Sequence, residues 1–448
     1  HDEAAGFLRM ALGLLPAGDA RRPRLLGRLG LTLAWGRAFE EALPVAAEAG
    51  DAIAGAEGPD AAAAYLADAS HTCGMVAGSP HAWTLARKGL GYATRRDEAW
   101  ARMVFFDLQR REAEDPEHPG IPLDTPDRWE AASILRAAPG DPMGIAALEA
   151  VFSTGSEARA SRNLAIRVFM GGDFADCIDP LEAEVQRALA QGQLVRAARA
   201  RSFGAFCLIA LGRLREARAA INEAQAFFTR AGAPMFVALH AREQLVLAVD
   251  EGWEELAAVF EPMVIGPVTP ANAWALGPIY AISGRIDARL GRAEAALRRL
   301  ELLLPWLERA PAWTAHYPVM ASHAADILCL LDRPDDAGLV DQMLREKVVQ
   351  PDFRDAMVDG RLALARLCAL GHRHDEARHW LAEARRVLTG QSARPLLAIA
   401  DYDEALVEAR DGNSARARAL VEAARGQFGA IGMTGWMRKA DELSRWLS

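Results

Sequence analysis

The sequence predicts an all-α chain built as a solenoid of stacked helical hairpins, and three observations predict it. First, a turn recurs at a nearly constant interval. Gly172, Gly212, Gly252, Gly291, Asp332, Gly371 and Gly412 each separate two helix-like segments, at intervals of 40, 40, 39, 41, 39 and 41. A fixed period in this range is the mark of hairpins that cannot bury an apolar face alone and do so against their neighbours. Second, the segment after the turn repeats one apolar face. Ala217, Ile221 and Ala224 follow Gly212, Ala296, Leu300 and Leu303 follow Gly291, and Ala417, Val421 and Ala424 follow Gly412. Each set falls at helical spacing on one side. Third, apolar residues make up 51% of the chain and aromatics only 7%, with alanine and leucine dominant, a composition suited to close-packed helices.

In chain order, residues 1–111 read as N-terminal helical hairpins, with helices about Arg24–Leu33 and Ala61–Ser70 and junctions at Gly36 and Gly78. Residues 112–127 hold Pro116, Pro119, Pro122 and Pro126 and are expected to form an ordered loop, since they cannot be helical throughout. Residues 128–434 carry the repeats. Glycine at each junction ends the first helix in the left-handed conformation without a Cβ penalty. The small residue five positions later lets the second helix approach the first. The Gly371 copy carries one extra residue and gives Ala377, Leu381 and Ala384. The copies at 172, 252 and 332 are weaker: Glu184 and Asp341 fall at apolar positions, and Pro262 cuts one second helix short. Prolines at 234, 311, 351 and 395 punctuate successive hairpins. Residues 435–448 are expected to form a capping helix. The whole is expected to be an elongated coil.

A formal net charge of −9 argues against a general binder of nucleic-acid backbone, so no direct nucleic-acid contact is expected. Lysine occurs only at positions 88, 347 and 439, so 48 of the 51 basic residues are arginine. Cys73, Cys177, Cys207, Cys329 and Cys368 include no CxxC pair and are read as buried thiols in a reducing cytoplasm. No apolar run is long enough for a membrane span. The chain opens on His1 within apparent helix, and is read as a fragment of a longer protein.

The junction Leu211-Gly212-Arg213-Leu214-Arg215-Glu216-Ala217 resembles a tetratricopeptide (TPR) repeat, with Ala217 at the position of that family's second-helix alanine. The period near 40 resembles the superhelical region of MalT-like activators, and the C-terminal halves of bacterial AAA or STAND NTPase signalling proteins linked to a cyclase or a LuxR-type domain. Two further stretches, Glu112 to Asp124 and Phe428 to Trp436, resemble the same proteins. The resemblance implies a right-handed α-α superhelix of period about 40. It also implies a cytoplasmic regulatory or sensor module for signal transduction or transcription regulation, with an effector domain expected upstream and absent here. The alternatives are a free-standing scaffold and an enzyme with an unrecognised site.

No catalytic pattern stands out. Lys88 sits near glycines in the wrong order for a phosphate loop, and GxSxG and HExxH are missing. His372, His374 and His379 near Cys368 are better explained as turn residues than as a zinc site. Neither cofactor nor metal is expected, and no turnover. The binding expectation rests on arginine. Aligned with that repeat family, the first helix's inward position falls ten residues before the junction and holds Arg162, Arg242 and Arg361 in three of seven units, with Ser202, Ala281, Ser322 and Tyr402 in the others. Arg285 and Arg289 lie one and two turns along their own helix. Trp274, Tyr280, Trp313 and Tyr317 cluster in adjacent units. Together they predict a groove for an acidic protein or peptide partner, or for a small anionic ligand. The competing accounts are arginines ion-paired to the next hairpin and aromatics packed between repeats.

Overall fold

The computed structural model describes residues 2–16, 18–35, 38–77, 79–97, 99–104, 106–107, 168, 172, 174–231, 236–264, 273–309, 317–348 and 355–448. Every regular element among them is helical. The chain divides into two compact units, residues 1–163 with 269–275, and residues 164–268 with 276–448.

The first unit holds α1 (Asp2–Leu14), α2 (Arg22–Trp35), α3 (Phe39–Glu57), α4 (Pro59–Ala77) and α5 (Ser79–Tyr92). α2 pairs with α3, and α4 with α5. Leu29, Leu33, Ala46, Ile53, Leu66 and Leu85 form their shared core. Gly27 and Gly30 let Tyr65 lie against α2, where its hydroxyl donates to the Gly27 carbonyl at 3.2 Å. The junction glycines 36 and 78, and the predicted loop 112–127, lie outside the described residues.

The second unit is the repeat array. Its helices are α6 (Phe174–Ala190), α7 (Leu194–Ala210), α8 (Leu214–Ala231), α9 (Phe236–Val249), α10 (Trp253–Phe260), α11 (Ala273–Arg289) and α12 (Ala293–Arg309). They continue as α13 (Tyr317–Leu330), α14 (Gly338–Met343), α15 (Gly360–Leu370), α16 (His374–Gly390), α17 (Arg394–Arg410), α18 (Ser414–Ile431) and α19 (Thr434–Trp446). The predicted helical-repeat superhelix is what these hairpins make. The helices fall in two layers. α8, α16 and α18 bury a single stripe, such as Ala217, Ile221 and Ala224 of α8 or Ala377, Leu381 and Ala384 of α16. α7, α15 and α17 are buried on nearly every face. The odd-numbered helices from α7 therefore form an inner layer and the others an outer one.

The turns explain the period. At Gly212 the amide donates to the Ile209 carbonyl, and the next amide, of Arg213, to the Leu208 carbonyl. This pair of bonds closes a helix on a left-handed residue. It recurs at Gly192, Gly291, Asp332, His372, Ser392 and Gly412, so among the described residues it closes turns within hairpins and, at Gly192 and Ser392, turns between them. At the sixth predicted junction the left-handed residue is His372, with φ 57°, and not Gly371, with φ −85°. The extra residue of that copy moves the turn by one. Of the punctuating prolines, Pro395 opens α17 in its first turn.

The two weak copies at 252 and 332 are distorted as their prolines dictate. α10 runs eight residues and passes into a 3-10 turn at Glu261–Met263. After Asp332 come a 3-10 turn at Pro334–Asp336, α14 of six residues and a π-turn at Leu344–Val348. Glu184, the odd residue of the 172 copy, is fully buried and held by Arg187 and Arg196.

The coil of this unit is much tighter than an open spiral. α7 lies against α17 and α9 against α19. Gly212 packs on Ile431 and Arg394, Gly172 on Gln391, and Gly435 on the carbonyls of Asp250 and Val249. Contacts between hairpins this far apart in the chain mean that roughly five hairpins complete one turn of the superhelix, and that successive turns touch. The helix predicted as a terminal cap is α19, and one face of it is the contact that closes this turn. The Trp436 indole donates to the Leu247 carbonyl at 2.9 Å, in the last turn of α9, where helix carbonyls have no partner of their own.

Candidate ligand cavity on the inner wall

Burying the inner helices on all sides forces their polar residues to find each other, because an unpaired charge in such a place costs several kcal/mol. They do so at the repeat period. Arg285 of α11 meets Asp326 of α13 at 3.0 Å, Arg366 of α15 meets Asp326 at 2.8 Å, and Arg366 also meets Asp403 of α17 at 2.8 Å. The first two pairs link equivalent places on neighbouring inner helices, one repeat apart, and Asp403 stands about one helical turn short of the equivalent place, 37 residues from Arg366. Burial opposes the charges of Asp326 and Arg366, but the partners outweigh it. Arg285 and Arg366 hold Asp326 below the usual carboxylate range, and Asp403 and Asp326 raise Arg366 further. At Asp403 burial wins and the pKa is raised.

The ladder continues upward through histidine. Arg285 lies 3.2 Å from Nδ1 of His323, whose Nε2 lies 3.4 Å from Glu243. Glu243 is 3.1 Å from Nδ1 of His240, and His240 Nε2 is 2.7 Å from Asp355. The two imidazoles are driven apart. Burial disfavours charge on His240, but Asp355 and Glu243 overcome it and push the pKa up to about 10. Burial dominates at His323 and, helped by Arg285 and His240, pushes the pKa down to about 4. Gln244 fixes this end by accepting from the Met357 amide at 2.7 Å.

Below the ladder the same helices leave a cavity of about 260 Å³. Its apolar wall includes Leu247, Trp253, Tyr402, Leu406 and Trp436. Tyr402 stacks edge-on against Trp436 at 5.8 Å. Its basic residues are Arg285, Arg289, Arg366, Arg410 and Lys439, and its acids are Asp250, Asp326 and Asp403. Five against three leaves a formal excess of +2. Asp250 is shared: Arg289 grips it with two bonds of 3.0 and 2.7 Å, Lys439 reaches it at 3.0 Å, and the Trp253 indole donates to it at 3.1 Å. Burial, the largest influence, lowers the pKa of Lys439, whose ammonium sits 4.2 Å above the Trp436 ring. Arg410 donates to the Ala369 carbonyl at 3.4 Å and has no carboxylate partner among the described residues.

The predicted site residues part company here. Arg285, Arg289 and Tyr402 line this cavity. Arg361 is buried beside α15's own N-cap, where Asp359 pairs with its guanidinium at 3.1 Å and accepts from its amide at 2.8 Å. Tyr280 is buried in α11, and Arg242 is half-buried on α9. Arg162, and the side chains of Trp274, Trp313 and Tyr317, lie outside the described residues. Sequence reasoning missed Asp250, Asp326, Arg366, Asp403, Trp436 and Lys439. For Asp326 and Arg366 a signal was present: with Arg285 they set base, acid and base one repeat apart on helices with no polar face. Lys439, one of three lysines in an arginine-rich chain, was a second. No group of three His, Cys, Asp or Glu residues among the described ones has metal-holding geometry. His374 is engaged at 3.0 Å with Asp411. Burial pushes the thiols of Cys73, Cys329 and Cys368 up to about 12. No helix among the described residues is long and apolar enough to cross a membrane.

No protein-family model and no curated protein matches the chain. Among solved structures, it is similar to yeast Tom70 at 11% identity and a TM-score of 0.30, covering 99% of this chain and 92% of that one. A second similarity is to a circular tandem repeat protein with novel repeat topology, at 14% identity and a TM-score of 0.14, covering 99% and 95%. The functional reading therefore rests on the chain's own residues.

Proposed function

We propose that this chain is a non-catalytic regulatory module whose inner cavity senses a small anionic ligand, within a cytoplasmic bacterial signalling NTPase or transcription regulator. One observation carries the proposal: the inner helices of successive hairpins and the closing helix α19 bring five cations and three carboxylates around one cavity. At about 260 Å³ it is smaller than the 300–1,000 Å³ of drug-sized sites, which favours a small molecule over a peptide segment. Binding there would alter the contact between successive turns, and a change of superhelical curvature would carry the signal to an attached effector. Protein partners are assigned to the outer surfaces. On α1, Phe7, Met10 and Leu14 are exposed along one face and offer such a surface.

The test is a thermal-shift screen of small organic anions and neutral molecules against the full chain and its Arg289→Ala and Arg410→Ala variants. Anions that stabilise the parent and lose the effect in both variants are the expected result. Stabilisation by neutral molecules alone, or by anions equally in all three proteins, would remove the cavity as the sensing site.

A further inference from the structure

We propose that the ligand of this cavity is a small aromatic carboxylate, and that its carboxylate tightens the closure between α9 and α19. The inference rests on reading the cavity as a sensor pocket and adds the ligand's class and its mechanical effect.

Size sets the first limit. At about 30 Å³ for each water-sized group, 260 Å³ holds roughly nine non-hydrogen atoms. A carboxylate uses three of them and leaves six, enough for one ring. A phosphate group uses five and leaves too few.

The walls set the second. Trp253, Tyr402 and Trp436 with Leu247 and Leu406 form a surface for a planar apolar body. The cations gather at the same cavity. Apart from Arg366, which has Asp403, none holds a carboxylate to itself among the described residues. Asp250 is divided between Arg289 and Lys439, and Asp326 between Arg285 and Arg366. Arg410 has only a carbonyl. It is also an exposed residue, at the end of α17, so an entering anion can meet it first. A ligand carboxylate therefore enters a site already short of negative charge, and a guanidinium offers it two parallel bonds.

The mechanical effect follows from where these groups sit. Arg410 and Tyr402 belong to α17, Arg289 to α11, Lys439 and Trp436 to α19, and Asp250 to the end of α9. A carboxylate held by Arg410 and Lys439 adds an ionic tie between α17 and α19 beside the Tyr402–Trp436 stacking. Because Gly435 of α19 rests directly on the Asp250 carbonyl, steadying α19 steadies the turn-to-turn contact.

The experiment is isothermal titration of the full chain with benzoate, which has nine non-hydrogen atoms by its formula and is a probe of about the size derived above. Benzamide is the neutral control of the same shape. Benzoate is expected to bind one to one, and benzamide at least about ten-fold more weakly, the usual worth of a charged hydrogen bond. Arg410→Gln and Lys439→Gln should each weaken benzoate by about ten-fold or more. Arg298→Gln, on the exposed face of α12, should not. Arg410 is exposed, so its variant keeps the test open if Lys439→Gln folds poorly. Hydrogen exchange at residues 249–251 and 434–436 should slow with benzoate bound. Absent binding, equal binding of benzamide, unchanged affinity in Arg410→Gln, tighter binding of phenyl phosphate, or unaltered exchange would each overturn the inference. Loss of benzoate binding while other anions still stabilise the chain would sink this inference alone. Benzoate binding with slowed exchange, but without any effect on an attached effector, would sink the signalling role alone.

Discussion

Gly435 decides whether successive turns of the superhelix truly touch. A Cβ added there would lie 2.5 Å from the Asp250 carbonyl oxygen and 2.7 Å from that of Val249. Both are backbone atoms at the end of α9, so no side chain can swing away. Ordinary contact begins near 3.4 Å, so α19 and α9 must separate by several tenths of an ångström along a line that also carries the Trp436–Leu247 hydrogen bond. Overpacking of this kind costs about 1–3 kcal/mol. Against it stands the gain of replacing glycine in a helix, about 0.5–1 kcal/mol. Gly435→Ala is therefore expected to destabilise by about 1–2 kcal/mol net. Gly426→Ala is the control. It lies within the neighbouring helix α18 with open space around it, and should stabilise by about 0.5–1 kcal/mol. The assay is thermal and denaturant unfolding of both variants, with hydrogen exchange at residues 249–251 as a local readout. Opposite signs for the two glycines are expected, with a melting shift of roughly 1–3 °C downward for Gly435→Ala. If Gly435→Ala stabilises as Gly426→Ala does, the turns are not in contact and the cavity is an open groove.

Three other outcomes test the interior. Asp326→Ala leaves Arg285 without its carboxylate and Arg366 with half its partners, and should cost about 3–5 kcal/mol by equilibrium unfolding; a loss under about 1 kcal/mol would mean that the ladder is solvated. Ser392→Gly and His372→Gly relieve left-handed residues at φ 55° and 57°. Each should stabilise by about 0.5 kcal/mol, the left-handed penalty less the glycine entropy, and a lower denaturation midpoint would refute the turn assignment. The third concerns pH. His240 is raised by the carboxylates of Asp355 and Glu243, so its stabilisation is complete below about 6.5 and is lost as pH rises towards about 10. His323, facing Glu243, Arg285, Asp326 and His240, is lowered, so the unfolded chain binds the extra proton and stability falls as pH drops from about 6.5 towards about 4. Histidine carbon-13 NMR should show one imidazole still protonated at pH 8.5 and one still neutral at pH 5. Titration of either near 6.5 would refute the buried pairing.

The fold was legible because its cause is periodic. Gly212, Gly291 and Gly412 each need a left-handed residue, and Ala217, Ala296 and Ala417 each need a close helix approach, so backbone geometry imprints a recurring letter. Turns without glycine were harder to see: His372 within a hairpin and Ser392 between hairpins take the left-handed place. The closure was not legible. Gly435 and Asp250 each occur once, and nothing in a repeating pattern tells how many repeats make a turn. The candidate site was half legible for the same reason. Arg285 and Arg289 could be placed on the inner side by register. Their partners could not, because an acid on a helix ordinarily faces water. Arg285 pairs with the next hairpin, through Asp326, whereas Arg289 pairs with the preceding one, through Asp250.

That outcome sharpens the argument for binding. Buried ion pairs add little net stability over apolar residues of the same volume, so stability alone gives no reason for the inner wall to carry charge. Pairs spaced by one repeat do fix register, because slipping any inner helix strands a charge, and this specifying role has precedent in other buried polar contacts. Along the ladder each arginine is answered by a neighbour's acid. At the cavity the answer runs out: Asp250 serves two cations, Arg410 has no acid among the described residues, and the helix that supplies Lys439 is the one that closes the turn. An anion arriving there both completes the charge pattern and bears on the contact that sets the curvature, which joins recognition and response in one place.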